Sequence, residues 1–195
     1  MLGPFGLEDN AKYGLSLQVL NIVGGLAAVW TQVKMPLFGQ FIARRDIESL
    51  RRVLWLRFWL QYATYVCLAL AAITLGPWLI RFIGSDKEML PLAWLVLLMI
   101  YGLLDTHCSL WNTLISLWNE LPMLWPSVAT NAAGLGLNLL LALLPHASPG
   151  TLVLGPLLAG AAFNYWFWPR YGARTLRLSW LEFLRSGFVR HRLAA

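Results

Sequence analysis

The sequence predicts an all-α integral membrane protein with about five transmembrane helices and amphipathic cytoplasmic segments. Of the 195 residues, 58% are hydrophobic and only 12% are charged, whereas soluble domains carry about 25% charged residues. The charges are clustered and long uncharged stretches separate the clusters, as expected where a charge at the bilayer centre costs at least ~2.5 kcal/mol. Several of the 11 Trp residues stand at the ends of those stretches, the position that membrane proteins give to Trp.

Five stretches approach or exceed the roughly 20 apolar residues that a helix needs to cross the hydrocarbon core of a bilayer. They cover residues 13–33, 58–80, 89–119, 121–144 and 150–169. Each is predicted to be a helix, because a single strand in lipid leaves its backbone groups without hydrogen-bond partners. We expect one transmembrane bundle over residues 1–195 and no separate soluble domain.

The basic residues predict the orientation of these spans. Twelve of the 15 Lys and Arg residues lie in the loop after the first span and in the segment after the fifth. Five spans place both segments on one side, and the excess of Lys and Arg marks that side as cytoplasmic. The N-terminus is then outside, with no signal peptide before it, so we expect the chain to be the C-terminal lobe of a longer transporter.

The loop after the first span contains a predicted interfacial helix. Its apolar residues recur at helical spacing from Ile47 to Leu54, and Asp46 is the predicted N-cap. The charged residues of this cytoplasmic loop are Arg44, Arg45, Asp46, Arg51 and Arg52. A second amphipathic segment is predicted over residues 179–193.

The third span carries a polar stripe that begins with its only acidic residue, Asp105. The residues of the stripe are Asp105, Ser109, Asn112, Ser116 and Asn119. At 100° per residue they lie within about 40° of one line along the helix. Such a line faces other helices or a water-filled cavity rather than lipid. Asp105 is therefore either a protonatable or cation-linked site in a transport path, or a carboxylate near the membrane edge that a neighbour satisfies.

Milder stripes mark the first and fourth spans. Their polar members are Gln18, Asn21 and Gln32 in the first span and Asn131 and Asn138 in the fourth. Two interpretations stay open: these residues line a cavity, or small and amide residues let membrane helices approach and hydrogen-bond to each other.

Other polar residues predict little chemistry. His107 points away from the Asp105 stripe, so we interpret it as a satisfied histidine, and Cys67 and Cys108 as small apolar residues. Lys34, Arg57 and Arg81 stand near span ends, where such cations contact anionic headgroups or extend to the interface. No nucleotide-binding, metalloprotease or hydrolase motif occurs, so no enzyme activity, cofactor, metal site or nucleic-acid binding is expected.

Several motifs together resemble a transporter family. The opening Tyr13–Gln18 stretch is followed, in chain order, by Trp30, Lys34-Met35-Pro36, Gln40, Ala43-Arg44-Arg45-Asp46 and Leu50-Arg51-Arg52. Later matches are Leu137–Leu141, with an internal Asn, and Asn164–Arg170. The pattern resembles the second half of the polysaccharide flippases of the multidrug/oligosaccharidyl-lipid/polysaccharide superfamily. It departs from that family in the turn at residues 146–150, which lacks the Gly-Gly-Ala pattern, and in the missing N-terminal lobe.

The resemblance implies that the chain exports or flips a lipid-linked polysaccharide precursor, as for the O-antigen of lipopolysaccharide, across the bacterial inner membrane by alternating access. It implies membrane lipids, a lipid-linked oligosaccharide, a coupling proton or sodium ion and a missing lobe or partner subunit as partners. It also implies that Lys34, Arg57 and Arg81 contribute to a cationic cavity for the substrate. The alternatives are a multidrug-type exporter of the same superfamily and a non-transporting scaffold subunit. A membrane enzyme is disfavoured, because Asp105 and His107 are too few and point apart.

Overall fold

The computed structural model of the chain describes residues 6–82, 84, 87–118, 121–144 and 148–175. All regular structure in these ranges is helical, which confirms the all-α prediction. In chain order the elements are α1 (Leu7–Gln32), α2 (Met35–Ala43), α3 (Ile47–Phe82), α4 (Leu92–Ser116), α5 (Leu124–Ala142), a 3₁₀ helix (Pro149–Val153), α6 (Leu154–Ala162) and α7 (Asn164–Thr175).

Within the described ranges, three helical segments are long and apolar enough to cross a membrane. They are Leu7–Ala43, which joins α1 and α2, then Ile47–Phe82 and Leu92–Ser116. The first two contain the first two predicted spans, and the third covers the middle of the third predicted span. The helices in the fourth and fifth predicted spans do not meet both conditions. α5 has 19 residues but contains two Asn, and the last segment is divided into short helices.

The second and third predicted spans have different boundaries in the structure. The segment predicted as an interfacial helix leads into the second span, and the two form one 36-residue helix, α3. Asp46 is its N-cap as predicted, since the Ser49 backbone N–H donates to Asp46 Oδ1 at 3.0 Å. The third helix is shorter than residues 89–119: it begins after Pro91, whose ring restricts the preceding backbone, and ends at Ser116.

The fifth predicted helix, residues 150–169, is interrupted rather than continuous. The chain leaves helical geometry at Phe163, with φ −144° and ψ −56°. At this break Gly160 packs directly on the Tyr165 ring, where a Cβ would collide with it. The Tyr165 hydroxyl donates to the Pro156 carbonyl at 3.4 Å. The apolar run predicts one regular helix. The structure has two helices instead, α6 and α7, which pack against each other at the break.

α4 lies at the centre of the helical packing, with α1 and α3 on one side and α7 on the other. α1 and α4 run parallel, because Ser16 lies beside Leu90 and Gly24 beside Thr106. α3 runs antiparallel to α4: the Tyr65 hydroxyl donates to the Met99 carbonyl at 2.9 Å, and Tyr62 bonds to His107. The direction of the chain thus alternates through the first three long helices.

The outer surface of α5 and α3 is strongly apolar. Leu135, Leu139 and Leu140 of α5 and Leu70 of α3 each expose more than half of their surface. Large exposed apolar side chains of this kind mark surfaces that lipid or another protein covers. Asn119, the predicted amphipathic segment at residues 179–193 and the tail residues Arg177, Arg185, Arg190 and Arg192 lie outside the described residues.

Candidate functional site

A polar cleft of about 350 Å³ lies between α1 and α4, and its floor is formed by α3. All three helices contribute side chains that can donate or accept hydrogen bonds. They are Asn21, Thr31 and Gln32 of α1, Gln61 of α3, and Tyr101, Asp105, Thr106, Ser109 and Thr113 of α4. The cleft therefore brings together polar groups from three helices that are otherwise apolar.

Small residues on α1 create the space. A Cβ added at Gly25 would meet nothing within 4 Å, and one at Gly24 would lie 3.7 Å from Thr106 Oγ1. One turn earlier along both helices, α1 and α4 are in close contact, because a Cβ at Gly102 would collide with Leu20 and with the Tyr65 hydroxyl. α1 and α4 thus touch near Gly102 and leave a gap beyond it.

The floor of the cleft is a buried hydrogen-bond pair between α1 and α3. The Thr31 hydroxyl lies 2.7 Å from Gln61 Oε1 and 3.0 Å from the Ala28 carbonyl. Both side chains are nearly inaccessible, with 2% of each exposed. A satisfied pair of this kind holds Gln61 in one orientation, because each group would lose its partner if the other moved.

Asp105 lies near the middle of α4, about 20 Å from its first residue and about 17 Å from its last at 1.5 Å per residue. Its side chain is exposed to the cleft. It forms no ion pair or hydrogen bond with any residue in the described ranges. The carboxylate is therefore available to a cation, a proton or a ligand in the cleft.

The structure brings four of the predicted cavity residues together. Asn21 and Gln32 of α1 and Asp105 and Ser109 of α4 all line the cleft. Gln18 is exposed and does not line it.

The remaining predicted cavity residues lie elsewhere. Asn112 points towards Cys108, with its amide nitrogen 3.6 Å from the sulfur. Asn131 is exposed on α5. Asn138 accepts a hydrogen bond from the Gly155 N–H at 3.1 Å. The helix-contact interpretation thus fits Asn138, while the cavity interpretation fits the four cleft residues.

Sequence reasoning missed the residues that complete the cleft, above all Gln61, Thr31 and Thr106. Gln61 stands alone in the apolar part of α3, so no stripe marks it. A single amide within an apolar span is itself a signal, because it needs a partner there. That signal would have identified Gln61 but not Thr31 as its partner.

The cationic candidates at the span ends do not line the cleft. The Arg57 guanidinium carbon lies 5.9 Å from the centre of the Trp30 ring. Lys34 is the partly buried N-cap residue of α2, and Arg81 is exposed in the last turn of α3. These three residues therefore occupy helix ends and outer faces.

His107 has its own partner, as the sequence predicted. Its Nδ1 bonds to the Tyr62 hydroxyl, and the rings of Phe58 and Trp111 lie edge-on to it. This aromatic cluster is separate from the cleft that Asp105 faces, so the two side chains do not form an acid–base pair.

The two ends of the bundle carry different charge patterns. In the α2–α3 loop, the backbone of Arg45 has a positive φ of 56°. Hydrogen bonds from Ser49 hold the pKa of the neighbouring Asp46 carboxyl below its usual value. Arg44 is exposed beside them. In α3, Arg52 pairs with Glu48 at 3.8 Å, and Arg51 is partly buried. At the other end of the bundle, Lys12 joins Glu8 at 2.9 Å and Glu88 at 3.0 Å.

No group of three or more His, Cys, Asp or Glu side chains that could hold a metal ion occurs in the described ranges. Asp105 is the only acidic residue in the cleft lining. In comparisons with known proteins, no protein-family model, no curated protein and no solved structure matches the chain.

Proposed function

We propose that the chain is a multi-pass protein of the bacterial inner membrane and part of a transporter that exports or flips a lipid-linked polysaccharide precursor. The observation that carries the transport function is the polar cleft at mid-length of two long apolar helices, with the unpaired Asp105 inside it. Ionisable residues at that depth in a membrane mark substrate or ion paths. The substrate class is supported by the resemblance of the sequence to polysaccharide flippases.

The proposed topology has five spans, with the N-terminus outside and the C-terminus cytoplasmic. The fourth span is α5, and the fifth runs from the 3₁₀ helix through α7. Helix directions support this: Gly150 packs on Trp94 and Gly172 on Trp111, so the last segment runs parallel to α4. Odd-numbered spans must share one direction, and α1, α4 and this segment do.

In this proposal the cleft opens to each side of the membrane in turn. Asp105 takes up the coupling proton or sodium ion, and the side chains of Asn21, Gln32 and Ser109 hydrogen-bond to sugar hydroxyls. Alternating access needs two bundles that move around one site. A missing N-terminal lobe or a partner subunit therefore completes the cavity.

One observation favours a second candidate, a multidrug-type exporter. The cleft lining contains a carboxylate and no Lys or Arg. A diphosphate gains nothing from such a site, whereas an organic cation is attracted to it. The two candidates differ in the charge of the transported molecule, which makes them separable by experiment.

The test reconstitutes the purified protein, with any lobe that co-purifies, into liposomes that contain a fluorescent polyprenyl-diphosphate sugar. Bleaching by external dithionite reports movement between leaflets. We expect Asp105→Asn to slow this movement at least tenfold and to remove its dependence on pH. Ser116→Ala is the matched control, because Ser116 lies on the same helical stripe but does not line the cleft.

The outcomes separate the candidates. Flipping that is unchanged in Asp105→Asn would contradict the role of the cleft. Accumulation of an organic cation, with no flipping of the sugar lipid, would favour the multidrug-type exporter. Liposomes in which neither molecule moves would favour the scaffold subunit.

A further inference from the structure

Arg57 and Trp30 form a second cluster, at the contact between α1 and α3. The Arg57 guanidinium lies over the Trp30 ring, 5.9 Å from its centre. The Trp30 Nε1–H donates to Thr64 Oγ1 at 2.9 Å, which fixes the plane of the ring. Neither Arg57 nor Trp30 lines the cleft, although their helix neighbours Thr31 and Gln61 do.

The charge of Arg57 has no counter-ion in the described part of the chain. Arg57 appears in none of the ion pairs there, and its Nε is buried with no hydrogen-bond partner. The acidic residues at the start of α3, Asp46 and Glu48, are about 14 to 17 Å away along the helix. An unpaired, partly buried guanidinium is costly unless an anion approaches it.

The position of the cluster indicates which anion. Trp30 is two residues before the end of α1, at the level where a spanning helix leaves the hydrocarbon and Trp meets the lipid headgroups. The ring is 38% exposed, so it faces outward from the bundle. Arg57 lies beside it and is followed by the apolar part of α3. The cluster is thus an amphipathic site: a guanidinium fork and an indole above an apolar helix surface.

We propose that Arg57 and Trp30 bind the phosphate headgroup of an anionic membrane lipid at the cytoplasmic interface. The guanidinium donates hydrogen bonds to the phosphate oxygens, a geometry that Arg suits better than Lys. The indole packs beside the headgroup, and the acyl chains lie along the exposed apolar surface of α3 that follows Arg57, which includes Trp59 and Val66. The inference rests on the proposed membrane insertion, but not on the transport role of the cleft.

The test uses purified full-length protein and a mixture of phosphatidylglycerol and phosphatidylcholine, with bound lipids counted by native mass spectrometry. We expect the wild type to retain phosphatidylglycerol. Arg57→Gln should weaken that binding roughly tenfold or more, since hydrogen bonds to charged groups are the strong ones. Trp30→Leu should also weaken it, and Arg57→Lys should give a smaller loss. Arg44→Gln is the charge-matched control, because Arg44 is exposed in the loop.

Retention of phosphatidylglycerol by Arg57→Gln at the wild-type level would overturn the inference. Displacement of phosphatidylglycerol from the wild type by excess inorganic phosphate would contradict a lipid as the occupant, because the site would then recognise the phosphate alone. Circular dichroism of each variant shows whether the helices are intact. Alkaline carbonate extraction of cell membranes separates this inference from the proposed function: a protein that stays in the membrane but binds no phosphatidylglycerol contradicts only the lipid site.

Discussion

Two helix contacts in this molecule contain Gly and Asn, and they differ in what those residues do. In the α5–α6 contact, a Cβ at Gly155 would lie 2.5 Å from the Gly134 carbonyl oxygen and would collide with Asn138. In the α1–α4 contact, a Cβ at Gly25 would meet nothing within 4 Å. The first set of small residues closes a contact, and the second leaves a cleft.

The difference lies in the opposing helix. Gly155 of α6 faces Gly134 of α5. Because neither residue has a side chain, the two backbones approach each other closely, as small residues allow in membrane helices. Gly24 of α1 faces the Thr106 side chain of α4, and a Cβ at the neighbouring Gly25 would meet nothing within 4 Å. At these two positions the helix backbones approach each other only where glycine faces glycine.

The largest expected effect is on the close contact. Gly155→Ala should destabilise the protein by about 1–3 kcal/mol, the usual cost of overpacking, because the Gly134 carbonyl must move. Thermal unfolding in detergent measures the change. Gly136→Ala is the matched control, because a Cβ there meets nothing within 4 Å, and it should not lower the midpoint. Equal midpoints for the two variants would remove the distinction between the contacts.

Filling the cleft should change transport rather than stability. Gly25→Leu places a side chain in the cleft without a collision at its Cβ, so the unfolding midpoint should stay near that of the wild type. The same change should reduce flipping in the liposome assay roughly tenfold, which corresponds to about 1.4 kcal/mol. Gly14→Leu, in the same helix but outside the cleft lining, should leave flipping intact. A large loss of stability in Gly25→Leu would show that the gap is a closed contact.

A smaller effect distinguishes the two asparagines. Asn138 accepts the Gly155 N–H at the start of α6, where helix N–H groups lack partners within their own helix. Asn138→Ala should therefore cost about 1 kcal/mol of stability, within the range for interhelical hydrogen bonds in membranes. Asn21→Ala should cost less, because Asn21 is exposed to the cleft. Chemical denaturation of the two variants in the same detergent measures the difference, and the reverse order would contradict it.

The same two helix contacts show which features of the cleft the sequence could predict. Helical periodicity put Asn21 and Gln32 on one face of α1, and Asp105 and Ser109 on one face of α4. The structure brings these two faces together at the cleft. Periodicity does not say which surface of another helix a stripe meets. It therefore could not separate Asn138, which bonds to α6, from the residues of the cleft.

Features that depend on contacts between distant segments were not predictable. The break at Phe163 falls between Pro156 and Pro169 rather than at either proline, and it accompanies the packing of Tyr165 on Gly160. The cleft floor joins Thr31 to Gln61 across 30 positions of the chain. By contrast, Asp46 was predictable as an N-cap, because capping depends only on neighbouring residues.

The central claim is that the cleft beside Asp105 is an aqueous path within the membrane. The most direct measurement is the reaction of Ser109→Cys with a small, charged, membrane-impermeant thiosulfonate in membrane vesicles. The background carries Cys67→Ser and Cys108→Ser, and Leu139→Cys on the exposed apolar surface of α5 serves as the control. We predict that Ser109→Cys reacts far faster than Leu139→Cys. Equal, negligible reaction at the two positions would show that no water-filled cleft exists, and the proposed transport path would be wrong.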